Sequence, residues 1–245
     1  MPVLHANFSC AGQRSSNEDE GFSSRRIIAV ADGVSSSPDA QLAAKYAIAH
    51  AVDHLHSLNT LNSDAIHGLP RAVSRALACS TEDIDPDAAT CLALAILNEA
   101  RSMVWMTAIG DCRVALYHQQ PGLGAWATGP RVGGNRMGAS PCDVLRPGSL
   151  SSNRPSEALC VELPETALIL ATTDGIHDVL TEQDILEVMN RTGSLGPREL
   201  VNELVVQALR EGSTDNCTAA ARLVGRRSGV KHRHRSRRDE IYART

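Results

Sequence analysis

Apolar residues in this chain come in short, strand-length runs, and four of the runs touch an aspartate. Residues 27–31 lead into Asp32-Gly33, residues 103–109 into Gly110-Asp111, and residues 168–172 into Thr173-Asp174-Gly175. Asp215-Asn216 opens onto the apolar run 217–224. A further acidic pair, Glu18-Asp19, stands in the polar stretch before the first run. Residues 3–9 and 27–31 read as strands flanking a polar loop that carries Arg14, Glu18 and Asp19. Residues 90–97 and 103–109, separated by the turn-like Asn98-Glu99-Ala100-Arg101, read as a hairpin, and 114–118 continues the sheet. The run 168–172 is apolar at every position but its last, the signature of a strand covered on both faces.

Helical periodicity appears between these strands. Leu42, Ala43, Tyr46, Ala47, Ala51 and Leu55 share one helical face, with Ser37 placed as N-cap, Pro38 as the first helical position and Asp39 at the positive end of the dipole. A polar connection over 59–68 leads to a second helix from Pro70 to about Cys79. Thr181-x-x-Asp184 predicts a capped helix to about Asn190, and 197–210 a longer one between Gly196 and Gly212. Residues 119–157 lose all periodicity and read as a long loop or flap. Strand pairs come first, helices come in pairs, and strands return afterward. That order predicts an α+β fold rather than a repeating parallel sheet.

Five aspartates at strand ends predict carboxylates gathered at one edge. Two carboxylates about 4 Å apart repel by roughly 4 kcal/mol at an effective dielectric near 20. Such a cluster needs protons or divalent cations, and hard oxygen ligands suit Mg²⁺ and Mn²⁺.

Composition narrows the picture. The 245 residues suit one catalytic domain, 1–225, with a core short of aromatics, which make up 3% of the chain. The seven cysteines are scattered and odd in number, which disfavours a disulfide framework or a thiolate zinc site. No apolar run reaches the roughly 18 residues of a membrane span, and the first residues lack signal-peptide character, so a cytoplasmic protein is expected; a monomer is expected as well. The net charge of −4 is uneven. Residues 226–245 hold eight Lys/Arg against Asp239 and Glu240 and read as a disordered basic tail on an acidic body. An acidic body is not the profile of a nucleic-acid-binding domain.

Arg14-Ser15-Ser16-Asn17-Glu18-Asp19, Val30-Ala31-Asp32-Gly33, Ala89-Thr90, Gly110-Asp111-Cys112-Arg113, Thr173-Asp174-Gly175-Ile176-His177-Asp178 and Asp215-Asn216 occur in that order. Over about residues 5–224 the set resembles the metal-dependent protein phosphatase family, type 2C, in its bacterial form. The resemblance implies an α-β-β-α sandwich of two antiparallel sheets flanked by helix pairs, with two Mn²⁺ or Mg²⁺ ions and room for a third. It implies that Asp32 bridges both ions, that the Gly33 carbonyl ligates one, and that Asp174 and Asp215 hold the other. Glu18 and Asp19 would act through water, Asp111 with Asp178 would form the weaker third site, and Arg14 would bind the substrate phosphate. Asp32 and Arg14 are thus the candidate catalytic residues. The implied substrates are phosphoserine and phosphothreonine proteins, with a cognate Ser/Thr kinase as partner. A pseudophosphatase scaffold and a small-metabolite phosphatase are the alternatives.

The chain departs from the family at several points. Val34 stands where eukaryotic relatives carry a His, Ser35-Ser36-Ser37 replaces glycines, Ala88 replaces a Gly, and His177 replaces a usual Trp. The flap lacks the family's Asp-His-Ser-like element.

Overall fold

The computed structural model describes residues 4–80, 83–118, 122–126, 143–150, 157–192 and 195–225. Three strands open the chain, β1 (His5–Cys10), β2 (Asp19–Ser23) and β3 (Ile27–Gly33), and two helices follow, α1 (Ala40–Ser57) and α2 (Ser63–Cys79). Next come β4 (Thr90–Asn98), β5 (Met103–Ile109), β6 (Arg113–His118) and β7 (Gly122–Trp126). The short strands β8 (Leu145–Arg146) and β9 (Ser149–Leu150) precede β10 (Glu157–Glu162) and β11 (Ala167–Thr172). Three helices, α3 (Asp174–His177), α4 (Glu182–Thr192) and α5 (Pro197–Arg210), lead to the last strand, β12 (Cys217–Val224).

The strands form two antiparallel sheets, ordered β1-β12-β11-β6-β7 and β10-β5-β4-β3-β2, with β8 pairing β4 and β9 beside the second. Alternation along the strands explains why the sheets stack in layers. Ile27, Ala29 and Ala31 of β3 face α1 and α2, while Ile28 and Val30 face the other sheet. Ala219 and Ala221 of β12 face α5, while Ala220 faces inward. Each central strand is therefore buried on both faces, and the small side chains let four layers pack closely with few aromatics, Tyr117 being the fully buried one among the described residues. The result is the expected α-β-β-α sandwich. Among the described residues no helix is long and apolar enough to cross a membrane.

Several local expectations are corrected. Asp19 lies not in a loop but at the start of β2, whose single large apolar residue, Phe22, is too little to mark a strand in the sequence. α1 begins at Ala40 without a side-chain cap, after Asp39 at φ 49°. The Asp39 carboxylate instead accepts from the Asp85 N–H at 3.0 Å. The Ser37 hydroxyl spans two segments, donating to the Val34 carbonyl and accepting from the Ala89 N–H. α2 starts at Ser63, seven residues before Pro70, because the Asn62 side chain caps the Ala65 N–H. Within the expected flap, β7 extends the first sheet and the β8–β9 pair joins the second; β10 forms an edge of the second sheet beside β5. Residues 119–121, 127–142 and 151–156 of the flap lie outside the described residues, as does the basic tail 226–245. The Thr181/Asp184 capping box is formed reciprocally, by Asp184 accepting from the Thr181 N–H and Thr181 from the Asp184 N–H.

Candidate metal centre

Antiparallel pairing decides where the aspartates go. β3, β5 and β11 end at the same end of the sandwich where β2 and β12 begin. Asp19 and Asp32 are direct cross-strand partners on β2 and β3. Asp111 follows β5 after Gly110, Asp174 opens α3 just past β11, and Asp215 lies two residues before β12.

Hydrogen bonds across the sheets fix this end. Thr173 donates its hydroxyl to Asp19 Oδ2 at 2.8 Å and accepts from the Thr218 N–H at 3.0 Å, which locks β2 of one sheet to β11 and β12 of the other. Thr90 donates to the Asp32 carbonyl at 2.8 Å. Asn216 is buried and joins the Arg14 loop to β12. Its Oδ1 accepts from the Glu18 N–H, and its Nδ2 donates to the carbonyls of Ala11 and Ser16. Gly33 donates its N–H to the Glu18 carbonyl at 3.1 Å, and a Cβ on Gly33 would collide with the Ala40 carbonyl. No larger residue fits behind Asp32.

The remaining candidates take distinct positions. Arg14 Nη2 donates to Asp215 Oδ2 at 2.8 Å, with the two side chains 45% and 37% exposed. The Glu18 carboxylate accepts from Ser35 Oγ. Asp178 is exposed, one turn beyond Asp174, and its N–H donates to the Asp174 carbonyl at 2.9 Å. Half-buried Arg113 faces Asp178 and Asp111. His177 is buried, with Nδ1 at 2.9 Å from Thr172 Oγ1 and Nε2 at 3.1 Å from the Asp111 carbonyl. Thr173, Asn216 and the bonding role of His177 were not singled out from sequence. Their only signal was a place inside the aspartate motifs.

The electrostatics are those of a site short of positive charge. Burial raises the Asp32 carboxyl well above its ordinary range, and repulsion from Asp19, Asp174 and Asp111 adds to it. Burial also raises Asp19, against hydrogen bonds from Thr218 and Thr173 that hold it down. Asp174 is raised by burial and then by Asp111, Asp215 and Asp19. Asp111 is raised by burial, against a hydrogen bond from the Cys91 thiol. Asp19 Oδ1 and Asp111 Oδ1 are buried and have no hydrogen-bond partner. Buried carboxylate oxygens left bare are costly unless a cation or proton meets them. Among the described residues no three acidic, His or Cys side chains close into a ligand cage. An open set of hard oxygens still fits Mg²⁺ or Mn²⁺, which keep several waters, and the two bare oxygens are donors to spare.

The fold and this acidic end together define a class of protein, a two-sheet sandwich that gathers clustered carboxylates at one end. The family model of Protein phosphatase 2C matches residues 9–134, just over half of the chain, and the chain belongs to that family. It is thereby, by class, a metal-dependent protein Ser/Thr phosphatase. No curated protein matches the chain significantly. Among solved structures, it is similar to the Mycobacterium tuberculosis serine/threonine phosphatase PstP/Ppp, with 22% identity over 89% of this chain and 97% of that one and a TM-score of 0.72. It is similar to the catalytic domain of PstP in complex with two manganese ions, at 23% identity, coverage of 90% and 97%, and TM-score 0.71. PppA, a regulatory component of T6SS in Pseudomonas aeruginosa, matches at 17% identity, coverage of 89% and 96%, and TM-score 0.69. At these identities the likeness is one of fold.

Proposed function

We propose that this protein hydrolyses phosphoserine and phosphothreonine in proteins, opposing a Ser/Thr kinase, with two divalent cations at its acidic end. The observation that carries the reading is the cross-strand pair Asp19–Asp32, buried against Asp174 and Asp111 with oxygens left bare. Asp32 and the Gly33 carbonyl would hold one ion, and Asp174 and Asp215 with the shared Asp32 the other. Asp19 and Glu18 would act through water, and Asp111 with Asp178 would take a weaker third ion. When bound, such ions activate a water near neutral pH and offset phosphoryl charge.

The chain's own residues supply the rest. Arg14 spends one N–H group on Asp215 and keeps others for phosphoryl oxygens, in a planar fork that a Lys cannot reproduce. Thr173 and Thr90 hold Asp19 and the Asp32 backbone in place, so the carboxylates need not reorganise. Val34 offers no proton beside Asp32, and both nitrogens of His177 are engaged, which leaves the proton for the leaving oxygen to a water or to another side chain of the site. A metal-stripped sample tested on a phosphothreonine peptide decides between this reading and a binding scaffold. Turnover that returns with Mn²⁺ supports hydrolysis, and peptide binding without turnover supports the scaffold.

Arg14→Ala is expected to raise KM and to lower kcat/KM by about 30–150-fold, the equivalent of roughly 2–3 kcal/mol for a charge-assisted contact. Mn²⁺ affinity should not fall in the same variant, because Asp215 loses a competing partner. Steady-state kinetics and a Mn²⁺ titration check both halves, and unchanged kinetics would leave Arg14 as a surface residue.

We assign the catalytic unit to residues up to 225, since β12 ends at Val224 and no proposed ligand lies beyond it. Deleting 226–245 should leave turnover of p-nitrophenyl phosphate within about twofold. A large drop would place the tail inside the catalytic unit. A loss confined to phosphoprotein substrates, relieved at high salt, would make it an electrostatic docking segment.

A further inference from the structure

We propose that His177 is a positioning residue that fixes Asp111 for the outer divalent cation, by bridging the end of β11 to the Asp111 backbone carbonyl. This rests on the assignment of Asp111 and Asp178 made above. His177 closes α3, the helix that begins with Asp174, and only 7% of it is exposed. A backbone carbonyl can only accept, so the contact from Nε2 to the Asp111 oxygen requires the proton on Nε2. Nδ1 is then the acceptor, and the Thr172 hydroxyl at 2.9 Å is its donor. One ring thus sets the spacing between β11, the turn after β5 and the short helix that Asp174 opens and Asp178 follows.

Asp111 follows Gly110, whose backbone stands at φ +87° and packs so closely that a Cβ would strike the Cys91 sulfur, so the turn before Asp111 is one that only glycine enters without strain. The Cys91 thiol bonds its carboxylate, yet Oδ1 remains buried and unpaired. With the main chain tied by His177 and the side chain steadied by Cys91, the bare oxygen keeps one direction.

The experiment is a Mn²⁺ titration of chelator-stripped protein, read by calorimetry and by the electron paramagnetic resonance of free Mn²⁺, without any turnover. His177→Leu loses both contacts and should weaken the weakest Mn²⁺ by about 10–100-fold, the scale for residues that orient ligands, while the tighter ions bind as before. His177→Gln can donate to Asp111 and accept from Thr172, and should stay within a few-fold of the unaltered protein. Equal affinities in His177→Leu and the unaltered protein, or a uniform loss across all ions, would overturn the positioning role. If the unaltered protein holds no ion that Asp111→Asn removes, the assignment of Asp111 itself fails, and the proposal with it. Should His177→Leu not fold, Thr172→Val carries the same expectation for the weakest ion. Nitrogen chemical shifts of the unaltered protein add a direct check: a protonated Nε2 is expected, and a proton resting on Nδ1 alone would contradict the bridge.

Discussion

Asp174→Ala, and equally Asp215→Ala, is expected to lower Mn²⁺-dependent turnover of a phosphothreonine peptide by at least about 10³-fold. Losing the ligands of one ion removes several kcal/mol of charge stabilisation, and about 4 kcal/mol corresponds to roughly that factor. The fold should survive, because both residues are partly exposed at the rim and neither anchors the sheets. Asp174→Ala should even stabilise the metal-free protein slightly, since Asp174 is one of the charges that repel Asp32. Full activity of either variant after metal removal would sink the two-ion assignment. The contrast case is Thr173→Val, which leaves every proposed ligand in place but breaks the bond to Asp19.

Metal-free protein is expected to lose stability as pH rises from about 4 to about 7. Burial and neighbouring charge push the carboxyls of Asp19 and Asp174 up to about 7 in the folded state. Unfolded, they return to the ordinary carboxylate range. Between these values the native state binds more protons than the unfolded one, so the free energy of unfolding falls with rising pH. The stability is fully present below the unfolded pKa and is lost as pH passes the folded one. With mutual coupling discounted, about 2–3 kcal/mol is the scale, or roughly 5–10 °C in Tm. Saturating Mn²⁺ should reverse the slope, because a cation favours the ionised carboxylates. Thermal melts at several pH values, with chelator and with Mn²⁺, check this. A metal-free Tm that rises from pH 4 to 7 would mean the carboxylates do not burden one another.

The acidic end was legible in the sequence because Asp32, Asp111, Asp174 and Asp215 terminate or open apolar runs, and antiparallel pairing brings such ends together, whereas Asp19 stood in a polar stretch. The α+β class was legible because β4, β5, β11 and β12 are long enough, and apolar enough, to show as strands, while the two-sheet sandwich itself came only with the family resemblance. What escaped notice was short or non-local. β2 has one large apolar residue, and α3, at four residues, is shorter than any helical period can reveal. Pro70 suggested a helix start, yet the structure buries it inside α2, about two turns past the start that Asn62 caps. Thr173 and Asp19 bond across 154 positions of chain, and Asn216 reaches Ala11 across 205. No local pattern announces partners so distant. His177 stood out in the sequence only as a departure from the usual Trp, and nothing local announced that its ring would reach the carbonyl of Asp111.

The central claim is that the carboxylates of Asp32, Asp174 and Asp215 hold the cations on which phosphoprotein hydrolysis depends. Its most direct test is one titration of chelator-stripped protein with Mn²⁺, following binding and phosphothreonine-peptide hydrolysis in the same samples. The account predicts no turnover without Mn²⁺, turnover that rises as two ions are taken up, and loss of both uptake and turnover in Asp174→Ala. Hydrolysis that proceeds equally in the stripped protein, or uptake of Mn²⁺ that Asp174→Ala leaves unchanged, would contradict it.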